Sequence, residues 1–166
     1  MFESCVLGVD PGLAAMGLAA VGRSEGRAEI AWSDTVRTPA GLAEASRLRL
    51  VHESVGEAIR SNQVVAVAVE RVMWGRNVGS AMSVARATGV VMLAAAEAGV
   101  PVEEYAPLEV KMAVAGIGNA PKDVLRRALS RVHGLRDVPT EPNAADAVAV
   151  ALCHLQQAAL RKAVRA

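Results

Sequence analysis

Two short apolar runs in this chain each end in a single acid. Cys5-Val6-Leu7-Gly8-Val9 runs into Asp10, and Val64-Val65-Ala66-Val67-Ala68-Val69 runs into Glu70. An uninterrupted apolar run of this length is the pattern of a strand covered on both faces, not of a half-exposed one. The rest of the chain must therefore supply helices to both sides of a sheet. Such a strand also carries the side chain after its last apolar residue rigidly to the sheet edge, where open α/β sheets place their sites.

The other elements fit that frame. Asp10-Pro11-Gly12 is a turn signal. Residues 14–21 and 28–36 read as two further strands around the turn-prone Gly22-Arg23-Ser24-Glu25-Gly26, giving a three-stranded meander. Residues 41–61 carry Leu42, Ala45, Leu48, Val51, Val55 and Ile59 at helical spacing. A long helix is expected over 78–98 with Gly99 as its stop, and then a short strand over 101–106. Pro107 opens a short helix to 115, residues 116–119 form a loop, and Pro121 starts a helix to 132. After a loop over 134–142, the last helix begins near Asn143 and runs to about 163. The order β-β-β-α-β-α-β-α-α-α predicts an α/β fold: one domain over 1–166, with a five-stranded mixed sheet flanked by helices.

Composition narrows the setting. The chain is 52% hydrophobic but 2% aromatic, so Ala and Val must fill the core by close packing. Charges break the apolar runs, so no membrane span is expected. The N-terminus lacks the positive region of a signal peptide. Cys5 and Cys153 have no metal-binding spacing and read as buried thiols, which suits a cytoplasmic protein. The net charge of +1 names no partner, but the charges are segregated. Residues 71–90 hold Arg71, Arg76 and Arg86 without an acid, and residues 121–136 hold Lys122, Arg126, Arg127, Arg131 and Arg136 against Asp123. Residues 97–109 carry four glutamates and no base. One face offered to a polyanion gives this pattern, and so do ordinary solvated helix faces.

A third acid, Asp146, lies in the first turns of the last helix among Ala144, Ala145, Ala147 and Val148. Asn143, three residues earlier, projects from the same side. Asp10, Glu70, Asp146 and Asn143 together are a set of oxygen ligands suited to Mg²⁺ or Mn²⁺. Two such ions per subunit can run an in-line phosphoryl transfer. Singly, Asp10 is also explained as a turn residue, Glu70 as half of a salt bridge and Asp146 as a dipole-stabilised acid.

The motifs taken in order resemble the RuvC family of Holliday-junction resolvases. The resemblance rests on Leu7-Gly8-Val9-Asp10-Pro11-Gly12 with Gly17, Val69-Glu70-Arg71-Val72, Ala85-Arg86-Ala87-Thr88-Gly89-Val90, and Tyr105-Ala106-Pro107 with Val110-Lys111. It continues through residues 114–122, a Gly-rich loop ending in Lys122, and Ala144-Ala145-Asp146-Ala147-Val148-Ala149 with His154 downstream. It implies an RNase H-like fold, a homodimer, and paired symmetric nicks across four-way junction DNA in recombination and repair. It also implies a RuvAB-type branch-migration partner. By that resemblance Asp10, Glu70 and Asp146 are metal ligands, and Lys111 and Lys122 are catalytic-site basic residues that contact the scissile or a neighbouring phosphate.

Two departures from the family pattern matter. Asn143 stands where the family usually has an acid, so it brings a carbonyl without charge; Glu141 or a water is a possible assistant, and an N-cap role for Asn143 is the alternative. Met73-Trp74 follows Glu70 where the family tends to place an aromatic residue. Trp74, beside Gly75-Arg76-Asn77, is the candidate to stack on an unpaired base. Arg71, Met73, Arg76 and Asn77 join it as candidate DNA contacts. The 78–98 helix is apolar on more than one side, which suits a second subunit as well as a core. A junction-binding protein with weak or lost cleavage is the competing reading. An ATPase of the actin and sugar-kinase class also opens on a strand and an Asp-x-Gly motif, but this chain is too short for two such domains.

Overall fold

A computed structural model describes residues 4–73 and 78–165. The strands are β1 (Cys5–Asp10), β2 (Ala15–Ser24), β3 (Arg27–Arg37), β4 (Val64–Glu70) and β5 (Val102–Tyr105). The helices are α1 (Glu44–Ser61), α2 (Val78–Glu97), α3 (Pro107–Ala115), α4 (Lys122–Arg131) and α5 (Pro142–Arg165). The sheet order is β3-β2-β1-β4-β5. β1 is antiparallel to β2 and β2 to β3, whereas β4 runs parallel to β1 and β5 parallel to β4. The five-stranded mixed sheet read from the sequence is thus the observed one.

Period-two alternation divides the central strands between two cores. Leu7, Val9, Leu18, Val67 and Val69 face α1 and α2, where Val51, Val55, Ala87 and Val91 meet them. Val6, Ala19, Ala66 and Ala68 face α5, which is backed by α3 and α4. Each fully buried Val or Leu on these faces contributes about 1.5–3 kcal/mol. Cys5 and Cys153 are buried free thiols.

The structure corrects four local expectations. The β2–β3 turn is Glu25-Gly26 alone, with φ of 50° and 80°. Two left-handed residues suffice for a tight hairpin, so Gly22, Arg23 and Ser24 continue β2 and pair with β3. α1 starts at Glu44, leaving Leu42 outside it and exposed. α5 starts one residue early, at Pro142. Finally, residues Gly79–Glu97 of α2 are, by length and composition, apolar enough to cross a bilayer, with a mean hydropathy of 1.3. Within this fold Ala87, Val91, Ala94 and Ala95 of that helix are core residues, and Arg86 bonds Glu44 at 2.7 Å.

Candidate active site

Asp10 and Glu70 are neighbours because β1 and β4 are parallel and in register. Val9 pairs with Val69, and one residue further each strand ends in its acid. Val9 and Val69 point into the α1–α2 core, so alternation turns both acids to the opposite face, beneath the start of α5.

α5 reaches them because the sheet has no side chains in its way. A Cβ on Gly8 would strike the Ala147 carbonyl and the Ala151 backbone, and one on Gly17 would strike the Asn143 carbonyl. Gly17 is the β2 partner of Asp10. The helix therefore lies directly on the sheet at the level of the acids, and Asp146 comes down beside them. Its N-terminus is set by Glu141, which acts as N-cap: the carboxylate accepts from Asn143 N at 2.8 Å and Ala144 N at 3.2 Å, with Pro142 at the first helical position. The same carboxylate accepts from Thr35 Oγ1 at 2.6 Å and Arg37 at 2.8 Å, tying α5 to β3.

The electrostatics mark a crowded anionic site. Asp10 is pushed up to about 7, first by burial and then by the charges of Asp146 and Glu70. Burial and Asp146 also raise Glu70, while Lys122 and Lys111 oppose them. Lys122 Nζ donates to Asp146 Oδ2 at 2.7 Å, and that bond holds the lysine's pKa above its ordinary value. Among the described residues, no three His, Cys, Asp or Glu side chains are gathered tightly enough to hold an ion as they stand. The donors nevertheless suit a hard divalent cation: half-buried carboxylates crowded together are the groups such an ion relieves.

The model of the family described as crossover junction endodeoxyribonuclease RuvC matches residues 6–154. The chain belongs to the RuvC family. Its relatives include RuvC from Moorella thermoacetica, 41% identical over 95% of this chain and 94% of that one. RuvC from Corynebacterium jeikeium is 41% identical over 96% of this chain and 98% of its own. Thermus thermophilus RuvC, solved in complex with a Holliday junction substrate, superposes with a TM-score of 0.86 at 35% identity, covering 94% of this chain and 95% of that one. The yeast mitochondrial Holliday junction resolvase Ydc2 shares the fold, with a TM-score of 0.71 at 12% identity over 98% of this chain and 83% of its own.

For this RuvC-family chain, the structure brings Asp10, Glu70, Asp146, Lys122 and Lys111 into one electrostatic neighbourhood and puts Asn143 at its rim. Asn143 is not the N-cap there, because the chain turns into the helix at Glu141. The Glu141 carboxylate, the suggested assistant, is hydrogen-bonded through both its oxygens. Arg71 and Met73 are exposed after β4, and the Arg71 N–H donates to the Tyr105 carbonyl at 2.8 Å. Trp74, Arg76 and Asn77 lie outside the described residues.

Sequence reasoning assigned no role to Gly8, Gly17 or Arg126 and did not see the anchoring part played by Glu141. Gly8 and Gly17 carried a signal, because glycine inside a strand marks a close backbone approach. Arg126, one helical turn beyond Lys122, lines with it a groove of about 840 Å³ that opens at Asp146; the four-residue spacing was the available clue. Glu141 carried a weaker one, an acid directly before a helix-opening proline.

Proposed function

We propose that in this crossover junction endodeoxyribonuclease of the RuvC family Asp10, Glu70 and Asp146, with the Asn143 carbonyl, form the metal-binding centre for Mg²⁺ or Mn²⁺, two ions per subunit. The observation that carries this is the placement of two strand-end acids under a helix that brings a third, with Asp10 pushed up to about 7 by burial and then by the charges of Asp146 and Glu70. When bound, the ions supply an activated water and charge stabilisation at the leaving oxygen. The chain's own residues position the reaction. The strands fix Asp10 and Glu70, and the glycines seat α5. Lys122 and Lys111 offset the acids' charge and face the phosphate.

The substrate is four-way junction DNA, cut by paired symmetric nicks. Opposed strands need two sites, which calls for a homodimer. The stripe Met82, Ala85, Gly89 and Leu93, exposed on α2, is the patch this reading assigns to the two-fold interface. Trp74 with Met73 is the stacking element at the crossover, and Arg71, Arg76, Asn77, Lys122 and Arg126 contact DNA. A RuvAB-type motor is the partner and the cytoplasm the place of action. The test is cleavage of a synthetic four-way junction against linear duplex in Mg²⁺ and in Mn²⁺. Preferential nicking of the junction supports the reading; equal cutting of both, or none in either metal, overturns it. N143D, which restores an acid at the rim, raises the rate if this position ligates a metal.

A further inference from the structure

Asparagine is an ambiguous ligand. Its amide presents an oxygen that can hold a cation and an NH₂ that repels one, and the two ends exchange by a half-turn. At the rim of this site something must choose between them. Glu141 is placed to do so, since Asn143 Nδ2 lies 3.4 Å from Glu141 Oε1. An ionised carboxylate only accepts, so it can take the NH₂ end of the amide and not the oxygen end.

The direction of control follows from the other bonds. The carboxylate is held by Thr35 Oγ1, Arg37, and the main-chain N–H groups of Asn143 and Ala144. Four donors from β3 and from the helix backbone anchor Glu141, and the Asn143 amide is the member whose two ends can exchange. Both oxygens are spoken for, so Glu141 acts through its neighbour and not as a ligand itself. Thr35 and Arg37 come from the edge strand, far in sequence from α5.

We propose that Glu141 is a positioning residue that takes the Asn143 NH₂ and leaves Oδ1 as the end offered to the divalent ion. It thereby adapts a neutral residue to a place where the family resemblance implies an acid. This rests on the reading of Asn143 as a ligand. Outer partners that orient a ligand typically carry 10–100-fold in metal affinity.

The test is Mn²⁺ binding to the full-length protein by titration calorimetry, with thermal melts to follow folding. Wild type, E141Q, N143A and the double variant form a cycle. Gln keeps the volume but offers one oxygen where five donors now compete. The expected result is that E141Q weakens Mn²⁺ binding by about tenfold or more in the wild-type background and by less than about threefold in the N143A background. E141D, which retains the carboxylate, recovers part of the loss. Equal losses in both backgrounds would mean that Glu141 acts only through its charge or through helix stability, and the proposal fails. If N143A itself binds Mn²⁺ as wild type does, Asn143 is not a ligand, and the reading of the site fails at that point instead. If E141Q melts too low to titrate, R37Q, which loosens the anchor while leaving Glu141 in place, carries the same prediction.

Discussion

The two faces of the central strands differ in size of side chain and in what they accomplish. Toward α1 and α2 stand Leu7, Val9, Leu18, Val67 and Val69, all fully buried. Toward α5 stand Gly8, Gly17, Ala19, Ala66 and Ala68, and then the acids. The large-residue face supplies most of the apolar burial per residue and so fixes the strands. The small-residue face gives up that burial and gains proximity: α5 settles onto bare backbone and delivers Asp146 to Asp10 and Glu70. Both sides are packed, the α5 side through Val6 and Val21 as well, but the larger strand side chains gather on one side of the sheet and the chemistry lies on the other.

Adjacent residues of β2 offer the sharpest way to break this division. Gly17→Ala places a methyl where the Asn143 carbonyl lies, so the start of α5 must retreat. Single-turnover junction cleavage is expected to fall by about a hundredfold, the usual effect of displacing a catalytic group by an ångström. Leu18→Ala, one residue along and on the other face, is expected to cost about 2–5 kcal/mol in denaturant unfolding. Its cleavage rate per folded molecule should stay at the wild-type value. If Leu18→Ala lost catalysis as Gly17→Ala does, the faces would not be separable.

The acids make the small-residue face pH-sensitive. The Asp10 pKa, about 7 when folded, lies above its unfolded value, so the native state holds a proton that the unfolded chain has released. Metal-free protein is then expected to lose stability, on the order of a few kcal/mol, as pH rises from about 4 to about 7. The raised Glu70 adds in the same direction. Melts in EDTA should show this slope for wild type and for Leu18→Ala, and a flatter one for Asp10→Asn. Retention of the full slope in Asp10→Asn would place the buried charge elsewhere.

The smallest expected effect concerns the groove beside that face. Arg126→Gln should weaken junction binding modestly and reduce the slope of log affinity against log salt by about one. An unchanged slope would mean that the DNA does not run past α4.

What the sequence made legible follows the same division. Strands that are buried on both faces announce themselves as unbroken apolar runs, so β1 and β4 and their terminal acids were plain. α5 was recognisable because its acid stands among alanines. The closeness of α5 was not, since Gly8 and Gly17 show their purpose only when the helix they admit is in place. The Glu141 anchor was hidden for a similar reason: its partners Thr35 and Arg37 belong to an edge strand more than a hundred residues away. The Glu25-Gly26 turn was overlong in prediction because Gly22 and Ser24 favour turns locally, and pairing with β3 overrides them.

The central claim is that the three acids on the small-residue face are the nuclease centre of this chain. Asp10→Asn, Glu70→Gln and Asp146→Asn test it most directly, each compared with wild type for junction binding without metal and for single-turnover cleavage with Mg²⁺ or Mn²⁺. Binding is predicted to survive in all three, while cleavage falls by more than about a hundredfold, beyond the loss typical of an outer partner. Cleavage at the wild-type rate by any one of them would contradict the account.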